Sequence, residues 1–289
     1  MNKQEIIKNL ATIVSRSEKP FLLFSGPSGS GKTWSAELLA KLLGYKVVTS
    51  FSELDDTSTM YEKQPVLVML DELQGKKKNF QEVVLEKMNQ IESSKGKYKC
   101  FDPTERVVSI KQVIVVIATT DKHKILDPIV RRCTVIDYPE YNKKEIKEIV
   151  ENENKKIDKT IIQKIVDCCK LDIRTALSMA EQYKVFKNFE QVLDVRCLDE
   201  FGLTRNEEKY LMYLKMNGSA SVDALTSILS LPSNKELVFE IEPYFKKMGW
   251  VDTLSKGRNL TKQGKVFVEQ FIDTFKEVSY DGVQWQKKK

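Results

Sequence analysis

The chain has 289 residues, 41% of them hydrophobic and 30% charged, with a formal net charge of +6. That length predicts two or three domains, each long enough for its own core, and the mild positive charge permits nucleic acid as a partner without demanding it. No apolar run reaches the roughly 18 residues that a membrane-spanning helix needs, and five cysteines with one histidine offer neither a C-x-x-C pair nor metal-ligand spacing, which fits a reducing cytoplasm.

The opening segment, MNKQEIIKNLATIVSRSEKP, lacks a signal-peptide core and reads as an amphipathic helix. Phe21 to Ser25 is apolar and too short for a helix, so a buried strand is expected. The next eight residues, Gly26-Pro27-Ser28-Gly29-Ser30-Gly31-Lys32-Thr33, complete the pattern G-x-x-x-x-G-K-[ST], and a helical pattern with Trp34, Leu38, Leu39, Leu42 and Leu43 on one side follows. Strand, glycine turn and helix in that order make a phosphate cradle. The glycines let backbone N–H groups converge, and the helix N-terminus adds partial positive charge. Gly26, Ser28, Gly29, Ser30, Gly31, Lys32, Thr33 and Trp34 are therefore the candidate ligands of a nucleoside triphosphate. Lys32 would reach the β- and γ-phosphates, and the Thr33 hydroxyl would ligate Mg²⁺.

Strands are expected at residues 45–50, 65–70, 113–118 and 133–138, with a helix over 79–92 and two short strands before the third of these strands. Continuous apolar strands alternating with helices predict a parallel sheet covered on both faces. The strand VLVML runs into Asp71 and Glu72. Asp71 would stand at the sheet edge beside the glycine loop and hold Mg²⁺ through water, and Glu72 would polarise the attacking water. Thr119 and Thr120 end the strand VIVVIA; Thr120 is the first choice for touching the γ-phosphate and Thr119 the second. Arg131 and Arg132 close a short helix, where a guanidinium can stabilise charge developing on a neighbour's phosphate. From Asn142 to about Lys187 the pattern is wholly helical, and Arg174 opens one of its helices. A bridging helix is expected over Phe189–Phe201. Beyond it come three helices, the last reading SNKELVFEIEPYFKKMGW, and a hairpin from WVDTL and NLT around SKGR. Three helices and a hairpin make a winged helix, which binds DNA or docks a protein. Lys256 and Arg258 at the hairpin, with Lys246 and Lys247 at the end of the third helix, are the candidate phosphate contacts.

Together the glycine loop, Asp71-Glu72, Thr120, Arg132 and Arg174 resemble the AAA+ ATPases: Walker A, Walker B, sensor 1, arginine finger and sensor 2, in the family's order. The resemblance implies an α/β P-loop core over residues 1–140, a helical lid over 141–201 and a winged helix over 202–289. It implies ATP and Mg²⁺ as cofactors and an oligomeric, hexameric ring, because the finger acts on the next subunit's ATP. The segments IEPYFKKMGWVDTLSKGRNLT and IATTDKHKILDPIVRRC sharpen it, for they resemble the RuvB family of Holliday-junction branch-migration motors. That resemblance implies an ATP-driven motor on double-stranded or branched DNA in recombination or repair, and a RuvA-like partner at a hairpin over residues 97–110. The family's D-E-I-H reads Asp71-Glu72-Leu73-Gln74 here, and its separated finger arginines are adjacent, so Arg131 stays a second choice to Arg132. A replication initiator, helicase loader or clamp-loader subunit is the alternative reading.

Overall fold

The computed structural model of the protein describes residues 7–12, 20–61, 64–101, 107–254 and 257–272. The N-terminal helix α1 covers residues 7–12, with Ile7 and Leu10 buried. Strand β1 (Phe21–Ser25) is buried at every position, and helix α2 (Lys32–Leu43) follows the glycine loop. Strand β2 (Lys46–Val48), helices α3 (Phe51–Asp56) and α4 (Ser58–Tyr61), strand β3 (Val66–Asp71) and helix α5 (Lys78–Ser93) come next. Strands β4 (Tyr98–Phe101), β5 (Val107–Ile110) and β6 (Val113–Thr119), helix α6 (Asp127–Arg132) and strand β7 (Thr134–Asp137) complete the unit. Five strands pair in the order β2-β3-β6-β1-β7, all parallel. Val113–Thr119 has no exposed residue, as a strand buried on both faces requires. Helices α3 and α4 were not anticipated; Ser50 caps the first by accepting a hydrogen bond from the Glu53 N–H.

Register sets the functional edge. Ser25 pairs with Thr119 and Asp71 with Ala118, so the ends of β1, β3 and β6 lie level at the C-terminal edge of the sheet. The antiparallel pair β4–β5 stands apart from the main sheet. Its root is buried: the Tyr98 hydroxyl donates to Asp55 and accepts from Lys87, each at 2.6 Å. At its far end Phe101 pairs with Val107, and both are exposed. The tip of the hairpin expected over residues 97–110 lies outside the described residues.

The chain divides into two units, residues 1–142 and 143–289. The second opens with α7 (Lys143–Glu153), α8 (Lys159–Cys168), α9 (Ile173–Phe186) and α10 (Phe189–Arg196). Helix α10 is shorter than the bridging helix expected up to Phe201. Cys197 takes a left-handed conformation (φ 53°) and ends it, and the buried Asp199 carboxylate then accepts the N–H groups of Phe201 and Leu203 to fix a turn. Helix α11 (Arg205–Asn217) starts with a capping box of Thr204 and Glu207. Strand β8 (Ser219–Ala220) and helix α12 (Val222–Ile228) follow. The expected single third helix is present without a break over residues 234–247, but with a widened turn in its middle: α13 (Asn234–Glu236), a π turn over Leu237–Ile241 and α14 (Glu242–Lys247). Pro243 supplies the reason: it has no N–H for the ladder, and its ring crowds the carbonyl four residues back, so the preceding turn widens. Strands β9 (Val251–Leu254) and β10 (Gly257–Leu260) complete a sheet of order β8-β10-β9, and α15 (Lys262–Ile272) closes the unit. Trp250 stacks on Phe267 with ring centroids 3.5 Å apart, and Tyr210, Phe245 and Leu237 are fully buried around them.

Candidate functional site

The glycine loop joins β1 to α2. Gly26 and Gly31 both have positive φ, 158° and 87°. A side chain at Gly26 would meet the Tyr138 carbonyl oxygen at 2.3 Å, and one at Gly31 the Tyr141 hydroxyl at 2.6 Å. Glycine is needed there for close approach as well as for backbone shape. Gly31 caps α2 without a side-chain hydrogen bond, and no acidic residue lies in the helix's first turn. A helix N-terminus with neither a capping side chain nor a carboxylate in its first turn suits an anion. Lys32 is buried, and its Nζ donates to the Gly26 and Pro27 carbonyls, each at 2.8 Å. Its charge thus sits within the curve of the loop. Ser30 is buried, while Ser28 and Trp34 are exposed.

The Thr33 Oγ1 donates to the Asp71 Oδ2 at 3.1 Å. One hydroxyl and one carboxylate side by side fit Mg²⁺, which keeps several waters and takes its other ligands from substrate phosphates. Among the described residues no cluster of three or more His, Cys, Asp or Glu side chains could hold a metal by itself. Glu72 is exposed and adopts a left-handed backbone (φ 53°, ψ 40°), which costs a non-glycine residue roughly 1–2 kcal/mol. Its N–H bonds to the Ala118 carbonyl at 3.0 Å and to the Asp71 Oδ1 at 3.0 Å. The bend turns Glu72 off the strand axis and starts a short 3₁₀ turn, Leu73–Gly75.

Thr119 is fully buried and Thr120 exposed. Both reach the same side chain, Gln74: its Nε2 donates to the Thr120 Oγ1 at 2.8 Å and its Oε1 accepts from the Thr119 Oγ1 at 2.7 Å. The same Nε2 also contacts the Glu72 Oε2. A second amide, the buried Gln81 of α5, donates to the Lys124 carbonyl at 3.2 Å and the Lys76 carbonyl at 3.3 Å, and accepts the Leu126 N–H at 2.9 Å. It ties the turn after Glu72 to the start of the arginine helix. In the sequence Gln74 stood out only as the departure from D-E-I-H, and Gln81 not at all. A polar residue on the apolar face of α5, among Val84, Met88 and Ile91, was the available signal for Gln81.

Helix α6 carries the two arginines. Arg131 is 82% exposed at its side chain and lies 3.9 Å from Asp127. Arg132 is more enclosed: its Nε lies 3.4 Å from Glu92 and its Nη1 donates to the Pro128 carbonyl at 2.9 Å. Exposed ion pairs of this kind contribute about 0–1 kcal/mol, so neither guanidinium is locked. In the second unit, exposed Arg174 stands in the first turn of α9, where Asp172 caps the helix by accepting the Arg174 and Thr175 N–H groups.

The winged helix holds a different arrangement. Glu242 has no accessible surface. Arg258 Nε donates to its Oε1 at 2.7 Å, Lys246 Nζ to its Oε2 at 2.6 Å, and the Tyr210 hydroxyl to its Oε1 at 3.4 Å. Burial alone would raise the Glu242 carboxyl, but the hydrogen bonds and charges of Arg258 and Lys246 outweigh it and hold the group below its usual range. Glu242 of the third helix is thereby joined to Arg258 of the hairpin. Lys246 and Lys247 are exposed, Arg258 is partly buried, and Lys256 lies outside the described residues.

Comparison with known proteins agrees with this architecture. Residues 22–141 match the ATPase family associated with various cellular activities (AAA), and residues 200–269 match the RuvB C-terminal winged helix domain. The chain therefore carries an AAA domain followed by a RuvB-type winged-helix domain. Its resemblance is to RuvB, at a divergent level. The Holliday junction branch migration complex subunit RuvB of Wolbachia sp. subsp. Brugia malayi (strain TRS) is 23% identical over 303 residues, covering 92% of this chain and 90% of that protein. The Replication factor C small subunit of Picrophilus torridus is 24% identical over 230 residues, covering 76% of this chain and 70% of that protein. Among solved structures, the Thermotoga maritima RuvB Holliday junction branch migration motor superposes with a TM-score of 0.61 at 19% identity, covering 92% of this chain and 94% of that one. No helix among the described residues is long and apolar enough to cross a membrane.

Proposed function

We propose that the chain is a RuvB-like motor that uses ATP hydrolysis to move double-stranded or branched DNA, working as a hexameric ring in the cytoplasm during recombination or repair. The observation that carries this reading is the joining, in one chain, of an AAA core to a RuvB-type winged helix. On this reading residues 1–140 are the ATPase domain, 141–201 the lid and 202–289 the DNA-binding domain. Gly26 to Thr33 cradle the triphosphate, with Trp34 beside them, and Lys32 faces its terminal phosphates. Thr33 and Asp71 would hold Mg²⁺, which supplies charge neutralisation at the β- and γ-phosphates. Glu72 orients the attacking water, Thr120 senses the γ-phosphate, Arg132 reaches a neighbouring subunit's nucleotide, and Arg174 senses nucleotide from its own chain. Lys247, Lys246 and Lys256 meet DNA phosphates, while Arg258 sets the hairpin against the third helix and lends its charge there. The hairpin over residues 97–110 presents Phe101 and Val107 to a RuvA-like partner.

The similarity to a Replication factor C small subunit favours a clamp-loader reading as the alternative, and AAA initiators and helicase loaders also combine the two domains. The winged helix over residues 200–269 argues for the motor over a clamp loader. The deciding experiment compares wild type with Glu72→Gln on a mobile four-way junction, following ATP turnover and branch migration together. The motor reading expects DNA-stimulated turnover and junction migration by wild type. It expects the variant to bind ATP, to turn it over roughly 10²–10⁴-fold more slowly and to leave the junction in place. Wild-type turnover that ignores DNA and leaves the junction in place would move the loader reading ahead.

A further inference from the structure

Gln74 sits where three groups need three different hydrogen bonds. The Glu72 carboxylate only accepts, the Thr119 hydroxyl here donates, and the Thr120 hydroxyl here accepts. A primary amide has two N–H donors and one carbonyl acceptor, so it serves all three at once. The amide's orientation is fixed by this arrangement, because a carbonyl turned toward the carboxylate would set acceptor against acceptor. Gln74 is only partly buried and lies in the 3₁₀ turn that the left-handed Glu72 starts. The Glu72 backbone is therefore bent so that the carboxylate and the residue two positions on face the end of β6 together.

We propose that Gln74 is a positioning residue for hydrolysis, whose amide joins the Glu72 carboxylate to the sensor threonines Thr119 and Thr120 as one hydrogen-bonded unit. The inference rests on the reading of Glu72 as the residue that orients water. Movement of Thr120 toward a γ-phosphate removes the acceptor of one amide N–H. The amide then re-aims, and Glu72 is re-aimed with it. Thr119 stays as the fixed end of the linkage, because its hydroxyl is buried and also accepts the Asp121 N–H at 3.1 Å. In this way the occupant of the phosphate site is read on one strand and acted on from the next, without direct contact between Thr120 and Glu72.

The test uses Gln74→Glu and Gln74→Ala in the full chain, with Glu72→Gln as the control. Glutamate has the same size and keeps an acceptor for Thr119, but it lacks both N–H donors and sets a second carboxylate beside Glu72. Both Gln74 variants should lose turnover by roughly ten- to a hundredfold, the scale of a misplaced reacting group, with KM for ATP within about twofold of wild type, as expected when the loss falls on a transition-state interaction. Thermal midpoints should not change. A cycle of Gln74→Ala with Thr120→Ala should be non-additive, the double variant being no slower than the slower single one. A packing role alone would leave Gln74→Glu at the wild-type rate, and that result, or an additive cycle, overturns the proposal. If Glu72→Gln itself hydrolyses normally, the reading of Glu72 falls and this inference with it. If Glu72→Gln is inactive while Gln74→Glu matches wild type, the inference fails alone.

Discussion

The ATPase edge and the winged helix both set a glutamate among polar partners, with opposite outcomes. Glu72 is exposed, on a bent backbone, and met by a neutral amide. Glu242 is sealed from solvent and neutralised by Arg258 and Lys246. On the proposed reading Glu72 responds to a ligand and is left weakly held for it, since a buried, fully paired carboxylate has nothing left to offer. A group that must fix the angle between a helix and a hairpin is buried with its counter-charges, where removing one partner is costly. The difference predicts that charge changes at the first region alter turnover and spare stability, and that those at the second do the reverse.

Arg132→Ala tests the first half most severely. Turnover should fall by about 10³-fold or more, the usual worth of an arginine finger, while the melting temperature stays within the small range of a surface ion pair. Mixing this variant with Lys32→Ala protein should restore part of the activity, because one subunit keeps a finger and the other a competent pocket. Absence of rescue at every ratio, with Arg131→Ala as the damaging change, would transfer the role to Arg131.

Glu242→Gln tests the second half. It leaves Arg258 and Lys246 without their counter-charge and should destabilise the winged helix by about 3–5 kcal/mol, read by chemical denaturation, with basal ATP turnover kept below the melting transition. The pH dependence has a definite sign. The folded-state carboxyl is depressed from its reference value of 4.5, so its contribution is present above that value and is lost as pH falls through the folded-state value. The gap between wild type and variant should therefore be full at pH 7 and close in more acid solution. A gap that widens below pH 4.5 would contradict the pairing.

Lys247→Ala should give the smallest effect and sharpens the division inside the winged helix itself. Stability should change by no more than about 1 kcal/mol, the worth of an exposed charge contact, and the log–log salt slope of duplex binding should fall by about 0.9, the value of one lost phosphate contact. An unchanged slope would remove α14 from the DNA surface and favour the hairpin or a protein-docking role.

The phosphate cradle was legible from residues 21–34 alone, because a strand, a glycine turn and a helix follow one another without a gap. Asp71 and Thr119 were placed at one edge by the apolar runs before them, since in a sheet buried on both faces each run must end where the chain meets solvent. What stayed hidden depends on contacts between distant residues. Nothing near Gln74 marks the 46-residue separation from Thr120, and the pairing of Arg258 with Glu242 spans 16 residues and two elements. The π turn was hidden for another reason: the sequence LVFEI is helical in pattern, and the effect of Pro243 is felt upstream of it.

That π turn over Leu237–Ile241 bears on how the winged helix tolerates change in length. Each helical residue advances the chain by about 100° around the axis, so one residue more or less changes the phase of everything that follows. Leu237, Ile241 and Phe245 are spaced four apart and all buried, a spacing that drifts round a regular helix and that a widened turn brings back into line. Deleting a single residue from the exposed side of the turn, such as Phe239, would remove the wide turn and leave seven steps of about 100° between Leu237 and Phe245, about 20° short of two full turns. A regular helix would then still hold both in the core, whereas an added residue would turn α14 by about 100° and take Phe245 from the core or Glu242 from Arg258. Substitution or deletion at Phe239 should therefore be absorbed and insertion should not, because the wide turn already carries one residue more than the phase of the helix requires.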